Sequence, residues 1–286
     1  MKCLFSCALA ALLCFAGSSA DATFVTNPNG SITYTGPSMG PGGGGSGMTG
    51  WAGTDVWYAG VTESNTQGPG DTTAQLFGAP ATVTGNAIDF NPQGFEASVT
   101  ASSPGFASEI VDSQLSFMVV ALPGKVIDNL QFTEAGDTTL AGLPTSTLTK
   151  TTVTNEIFID VLEVDGTPLN AVVNLQGNMT FTPSAGDYTL ADDGDGVSPT
   201  FATDWSGVAD IDIAAGLTAA GFDFIAGATK INVTLDNTLT ATAVNGESSF
   251  IRKKDFDGLT VTSNIPEPTT LALLAFGVAV AARRRG

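Results

Sequence analysis

The chain carries one dense run of carboxylates on a tightly turning segment, Asp192-Asp193-Gly194-Asp195-Gly196. Calcium takes several hard oxygen ligands, and a short glycine-bearing loop can turn them toward one point. Asp193-x-Asp195-Gly196 matches half the opening of an EF-hand loop. The first ligand position would then be Ala191 and the closing glutamate Ala202, so the segment is not an EF-hand. It is read as a calcium site of Asp192, Asp193 and Asp195, with Asp187 or Asp204 able to complete it, set against the plainer reading of a solvated acidic turn. No other cofactor is expected.

Paired carboxylates are a second chemistry, since glycoside hydrolysis needs only two at a suitable separation. Asp210 and Asp212 share one face of an expected strand, and Asp160 lies close to Glu163. No motif singles out either pair among so many acidic residues, and no catalytic residue is assigned. Trp51, Trp57, Tyr58, Tyr188 and Trp205 offer rings for sugar stacking, with core packing as the competing use. Trp57 and Tyr58 are adjacent on an expected strand and point to opposite faces, so one is expected inside and the other exposed. Thr-x-Thr pairs recur from Thr33 to Thr260 without the constant period that a flat ice-binding ladder needs. Arg252-Lys253-Lys254 is the one basic cluster between the two ends, and it offers contact to an anionic polysaccharide.

Composition removes whole classes of function. With no histidine there is no Ser-His-Asp or Cys-His nucleophile system and no histidine-ligated zinc or haem. The 28 acidic side chains outnumber the 10 basic ones, for a net charge of −18, which excludes a nucleic-acid partner. Residues 21–266 hold six of the basic residues and all but one of the acidic ones. Hydrophobic types still make up 43% of the chain, too many for a disordered acidic tail.

These residues must be positioned by strands. Segments rich in Val, Ile, Thr and Phe recur between Gly, Pro, Asn and Asp turns, and helical periodicity is nearly absent apart from 212–222. Residues 229–243 alternate, with Ile231, Val233 and Leu235 on one face and Asn232, Thr234 and Asp236 on the other. Asn245-Gly246 predicts a hairpin from this strand to 248–251. Residues 156–164 are apolar on both faces and read as a central strand. Gly-Asp-(Thr/Tyr)-Thr occurs at Gly70, Gly136 and Gly186, too unevenly for a solenoid or propeller. The expected fold is all-β, a single β-sandwich of jelly-roll-like kind over residues 51–264. Residues 21–50 form an N-terminal segment with a Gly-rich linker, and 23–35 is either a first strand or lies outside the fold.

The two ends carry addresses. Residues 1–20 read as a secretory signal peptide for signal peptidase, with Lys2 at the start, an apolar stretch and small residues at 17–20. Its removal takes away Cys3, Cys7 and Cys14, leaving a chain without cysteine. At the other end Pro266, Glu267 and Pro268 form a stiff break before the apolar run 271–282, and Arg283, Arg284 and Arg285 follow. This ending resembles the sorting signal of PEP-CTERM proteins, the substrates of the membrane protease-transpeptidase exosortase. The resemblance covers residues 265–286 and nothing upstream. It implies export, a membrane helix at 269–282, transient inner-membrane anchoring, and processing near the triplet by an exosortase-type membrane protease. At roughly 1.5 Å per residue that helix reaches ~21 Å, short of a ~30 Å hydrocarbon core, which suits a temporary hold.

The expected function is a non-catalytic structural or adhesive sandwich in the cell envelope or extracellular matrix, with extracellular polysaccharide as a partner. A secreted carbohydrate-active enzyme using paired carboxylates and an ice- or surface-binding protein are the alternatives.

Overall fold

Long alternating segments form long strands. Residues Ala228–Val244 make one strand, whose inward row of Ile231, Val233, Leu235, Leu239 and Ala241 is fully buried. The computed structural model describes residues 23–27, 32–36, 38–39, 49–66, 75–92, 94–255 and 260–262. The expected signal peptide, the Pro266-Glu267-Pro268 triplet, the helix at 269–282 and Arg283 to Arg285 lie outside the described residues.

The strands in chain order are β1 (Thr23–Thr26), β2 (Ile32–Thr35), β3 (Ser38–Met39), β4 (Thr49–Ala52), β5 (Val56–Thr66), β6 (Pro80–Thr84), β7 (Ala87–Phe90), β8 (Glu96–Thr100) and β9 (Phe106–Ala121). They continue as β10 (Asn129–Ala141), β11 (Lys150–Val164), β12 (Thr167–Asn178), β13 (Thr180–Thr182), β14 (Asp187–Thr189), β15 (Thr200–Asp212), β16 (Ala228–Val244), β17 (Ser248–Asp255) and β18 (Thr260–Thr262). One short helix, α1 (Ile213–Ala219), lies in the expected 212–222 segment, capped by the Asp212 carboxylate, which accepts from the Ala215 amide at 2.7 Å.

Two antiparallel sheets result. The first runs β1-β2-β5-β9-β16-β11-β12, with β14 added to β11 and the β3–β4 pair added to β5. The second runs β13-β15-β10-β18-β7-β6, with β17 on β10 and β8 on β17. Eight strands thus fall into two orders, β8-β17-β10-β15 and β9-β16-β11-β12, and the chain passes repeatedly from one sheet to the other. Their inner faces enclose an apolar core that includes Phe77, Phe90, Phe95, Phe117, Phe132, Tyr58 and Trp205. As expected of a central strand, β11 is flanked by β16 and β12, with Ile157, Ile159 and Val161 fully buried.

Two expectations change, and one open alternative is resolved. Asn245 and Gly246 do form a turn with positive φ at both residues (52° and 89°), but it is not a hairpin. Both edges of β16 are already taken by β9 and β11, so β17 crosses to the other sheet and pairs with β10 and β8. Trp57 and Tyr58 are both buried, and the Trp57 ring lies against Gly50 of β4, the strand paired beside β5. The sheet also takes in strands before residue 51. Ile32 and Tyr34 of β2 are core residues, and the Tyr34 hydroxyl donates to Glu63 at 2.7 Å.

Candidate functional site

Strand alternation splits the basic cluster of β17. Arg252 and Lys254 point outward, while Lys253 between them points into the sandwich and is fully buried. Outside, Arg252 Nε lies 2.8 Å and Lys254 Nζ 3.1 Å from the same oxygen of Asp137 on β10, and Lys254 reaches Asp204 on β15 at 3.8 Å. Glu96 on β8 sits opposite Arg252 in register. The outer face thereby carries a mixed row of acidic and basic side chains across four strands, with Phe250 beside it (Arg252 Cζ is 5.7 Å from the ring centroid). At its edge a polar groove of about 270 Å³ is lined by Asn91, Pro92, Phe95, Glu96 and Arg252 to Lys254. Its donors and acceptors are of the type that hydrogen-bond sugar hydroxyls.

Inside, Lys253 Nζ lies 2.5 Å from Glu134 Oε2 and 2.7 Å from Asn237 Oδ1. The rings of Phe77 and Phe95 cover it, with centroids 5.0 and 4.9 Å away. Burial pushes the Glu134 carboxyl up and the Lys253 ammonium down, each against the opposing pull of the other. The three residues come from β10, β16 and β17. Sequence reading missed Glu134 and Asn237, although the signal was present. Asn237 is the one polar residue in the inward row from Ile231 to Ala243, so extending the alternation would have placed it inside.

The remaining sequence candidates are spread over the surface or consumed by packing. Asp192 closes the turn after β14, accepting from the Thr189 amide (2.6 Å) and hydroxyl (3.0 Å). Asp195 accepts from the amides of Val197 (2.7 Å) and Ser198 (2.8 Å), which hold its carboxyl low. The hydrogen bond to Asp195 raises Asp193. Among the described residues no group of three acidic side chains is arranged to hold a metal ion. Trp51, Tyr188 and Trp205 are buried along with Trp57 and Tyr58, so none of the five offers a stacking platform.

The expected carboxylate pairs are each tied to a neighbour rather than to one another. Asp210 accepts from Gln131 and Asp212 caps α1, while Asp160 accepts from Asn174 and Glu163 from Thr229. A different pair does meet. Asp236 on β16 hydrogen-bonds Asp112 on β9, and burial, then the charges of Asp112 and Glu156, raise the Asp236 carboxyl. Carboxylates in direct contact are closer than the ~5–9 Å separations used in two-carboxylate glycoside hydrolysis.

Comparison with known proteins places one segment. Residues 264–285 match the PEP-CTERM protein-sorting motif, which covers the expected triplet and basic end. No curated protein matches the chain. Among solved structures, TmCBM61 in complex with beta-1,4-galactotriose is 13% identical, covering 60% of this chain and 86% of that one, at a TM-score of 0.23. The enzymatically active domain of tailspike protein 4 of bacteriophage CBA120 is 10% identical, covering 70% of this chain and 19% of that one, at 0.19. The VP2 subviral particle of infectious bursal disease virus is 8% identical, covering 89% and 59%, at 0.12. At these scores the likeness carries no argument about function.

Proposed function

We propose, for a chain whose tail is a PEP-CTERM sorting motif and which is thereby an exported exosortase substrate, a non-catalytic structural or adhesive role in the cell envelope or extracellular matrix. The sorting motif is the observation that carries this reading. The folded part is a jelly roll by its strand order, β8-β17-β10-β15 facing β9-β16-β11-β12. Its contact with extracellular polysaccharide runs along the groove of Asn91, Glu96, Arg252 and Lys254. Asp137, Glu96 and Asp204 together offset the two cations there, so the groove suits a neutral or weakly charged glycan whose hydroxyls bridge the fixed charges.

The test is co-sedimentation of the exported chain with the host's own extracellular polysaccharide, with released reducing sugar measured in the same samples. Retention that weakens in Arg252→Ala/Lys254→Ala, without sugar release, is the expected result. Sugar release would replace this reading with a hydrolase. Running each arm in calcium and in chelator reads out whether Asp192, Asp193 and Asp195 contribute.

A further inference from the structure

Lys253 poses a chemical problem that the glycan groove does not use. A primary amine sits in the middle of an exported sandwich, and burial favours its neutral form. A neutral amine is a nucleophile, and desolvation among apolar rings is a standard way to make a lysine one. Phe77 and Phe95 provide that surrounding. The amine touches a carboxyl that burial drives toward its protonated form and a carboxamide.

The unpartnered atoms lie where a reaction would need them. Asn237 Nδ2, the nitrogen that would leave, is buried with no hydrogen-bond partner. Glu134 Oε1, the second oxygen of the carboxyl, is also buried without one. Asn155, directly opposite Asn237 in the β11–β16 register, has both side-chain polar atoms buried and unpartnered. Its amide is a spare donor at the cross-strand position opposite Asn237. For a resting structure this is a costly set of orphaned groups.

We propose that Lys253 and Asn237 join through an intramolecular isopeptide bond, formed by attack of Lys253 Nζ on Asn237 Cγ with Glu134 carrying the protons. The Lys253 ammonium first passes a proton to Glu134, giving an amine and a carboxylic acid. Nζ then bonds to Cγ, and the carbonyl electron pair moves onto Oδ1. Glu134 protonates Nδ2 and takes a proton back from Nζ. The Cγ–Nδ2 bond breaks as the carbonyl re-forms, and ammonia leaves. One amine and one carboxamide become one secondary amide and one ammonia, with no oxidant, reductant or cofactor. Glu134 ends as a neutral acid, so no charge remains buried.

The bond would tie β17 in one sheet to β16 in the other, across the turn at Asn245-Gly246. This is a covalent staple in a chain whose three cysteines all lie within its first fourteen residues. The proposal is independent of glycan binding.

Peptide mapping of the full chain by mass spectrometry tests it. Trypsin should yield residues 231–252 covalently joined through Asn237 to the Lys253-Lys254 dipeptide, the pair one ammonia lighter than their sum. Cleavage after Lys253 should be absent, and the linkage should survive hydroxylamine, which opens the succinimide that an asparagine can form alone. The proposal is overturned if the folded chain gives an unmodified Asn237 peptide and normal cleavage at Lys253. A lone, hydroxylamine-sensitive ammonia loss at Asn237 overturns it equally. Glu134→Gln keeps the shape of the site and should leave the two peptides separate. Cross-linking at the parent level in that variant would refute the role given to Glu134. The parent map decides the bond itself even if a variant fails to fold.

Discussion

Glu63 is the buried acceptor on which the aromatic cover of Lys253 depends. From β5 it receives the Tyr34 hydroxyl at 2.7 Å, the Leu76 and Phe77 amides at 2.6 and 3.1 Å, and the Ser113 hydroxyl at 3.2 Å. Burial, then the charge and hydrogen bond of Glu63, push the Tyr34 phenol up, so it stays a donor. Glu63→Ala removes this acceptor from all four. Ser113 keeps the Ser64 carbonyl at 3.4 Å. Counting only the Leu76 amide and the Tyr34 hydroxyl, a lost buried acceptor at ~1–3 kcal/mol per donor predicts a loss of about 2–6 kcal/mol. A domain is commonly stable by only about 5–15 kcal/mol, so the change is large. Glu63→Gln keeps one oxygen and should cost about 1 kcal/mol. Urea unfolding followed by emission of the buried Trp51, Trp57 and Trp205 measures both. A Glu63→Ala protein within about 1 kcal/mol of the parent would refute the view that this carboxylate organises the 75–77 segment.

Three further outcomes are expected. Gly136→Ala should destabilise by about 3 kcal/mol or more, because its Cβ would lie 2.0 Å from the Arg252 carbonyl oxygen and 2.4 Å from the Trp205 ring, forcing β10 and β17 apart; the urea midpoint reports it. The raised Asp236 carboxyl binds its proton more tightly in the folded state, so its penalty is present at neutral pH and fades as pH falls. Asp236→Asn should therefore gain about 0.5–1 kcal/mol at pH 7, with the gain vanishing in acid when Tm is followed against pH. Glu247 has the opposite sign. Burial raises it, but hydrogen bonds from Thr149, the Leu143 amide and Ser146 outweigh burial and hold it low. Its contribution is complete above the ordinary carboxylate pKa and is lost as pH falls through the depressed folded value. Glu247→Gln should thus lower Tm at pH 7 and converge with the parent in acid.

Much of the fold was legible because its signals are local. The alternation of Ile231, Val233 and Leu235 marks one face of a strand, and the turn chemistry of Asn245-Gly246 depends on two residues. The doubly apolar 156–164 segment declared a central strand for the same reason, since a strand covered on both sides needs no polar face. The site was less legible. Lys253 looked like part of a basic surface cluster, because three consecutive cations do not reveal which of them a strand turns inward. Trp57 and Tyr58 looked like one buried and one exposed ring, because alternation along one strand does not show that Gly50 of the paired β4 leaves room for the Trp57 ring to pack against it.

By itself the sequence determined the sorting tail, the missing histidine chemistry and the β class, since these follow from composition and from patterns a few residues long. Only the tertiary structure decided that β16 and β17 part to opposite sheets, and that Glu134, 119 residues from Lys253 in the chain, meets it and Asn237 in one buried cluster. The physical reason is register. Which strands pair, and which side chains then face one another across the sandwich, is set by the joint burial of two whole sheets, and no single segment carries that information.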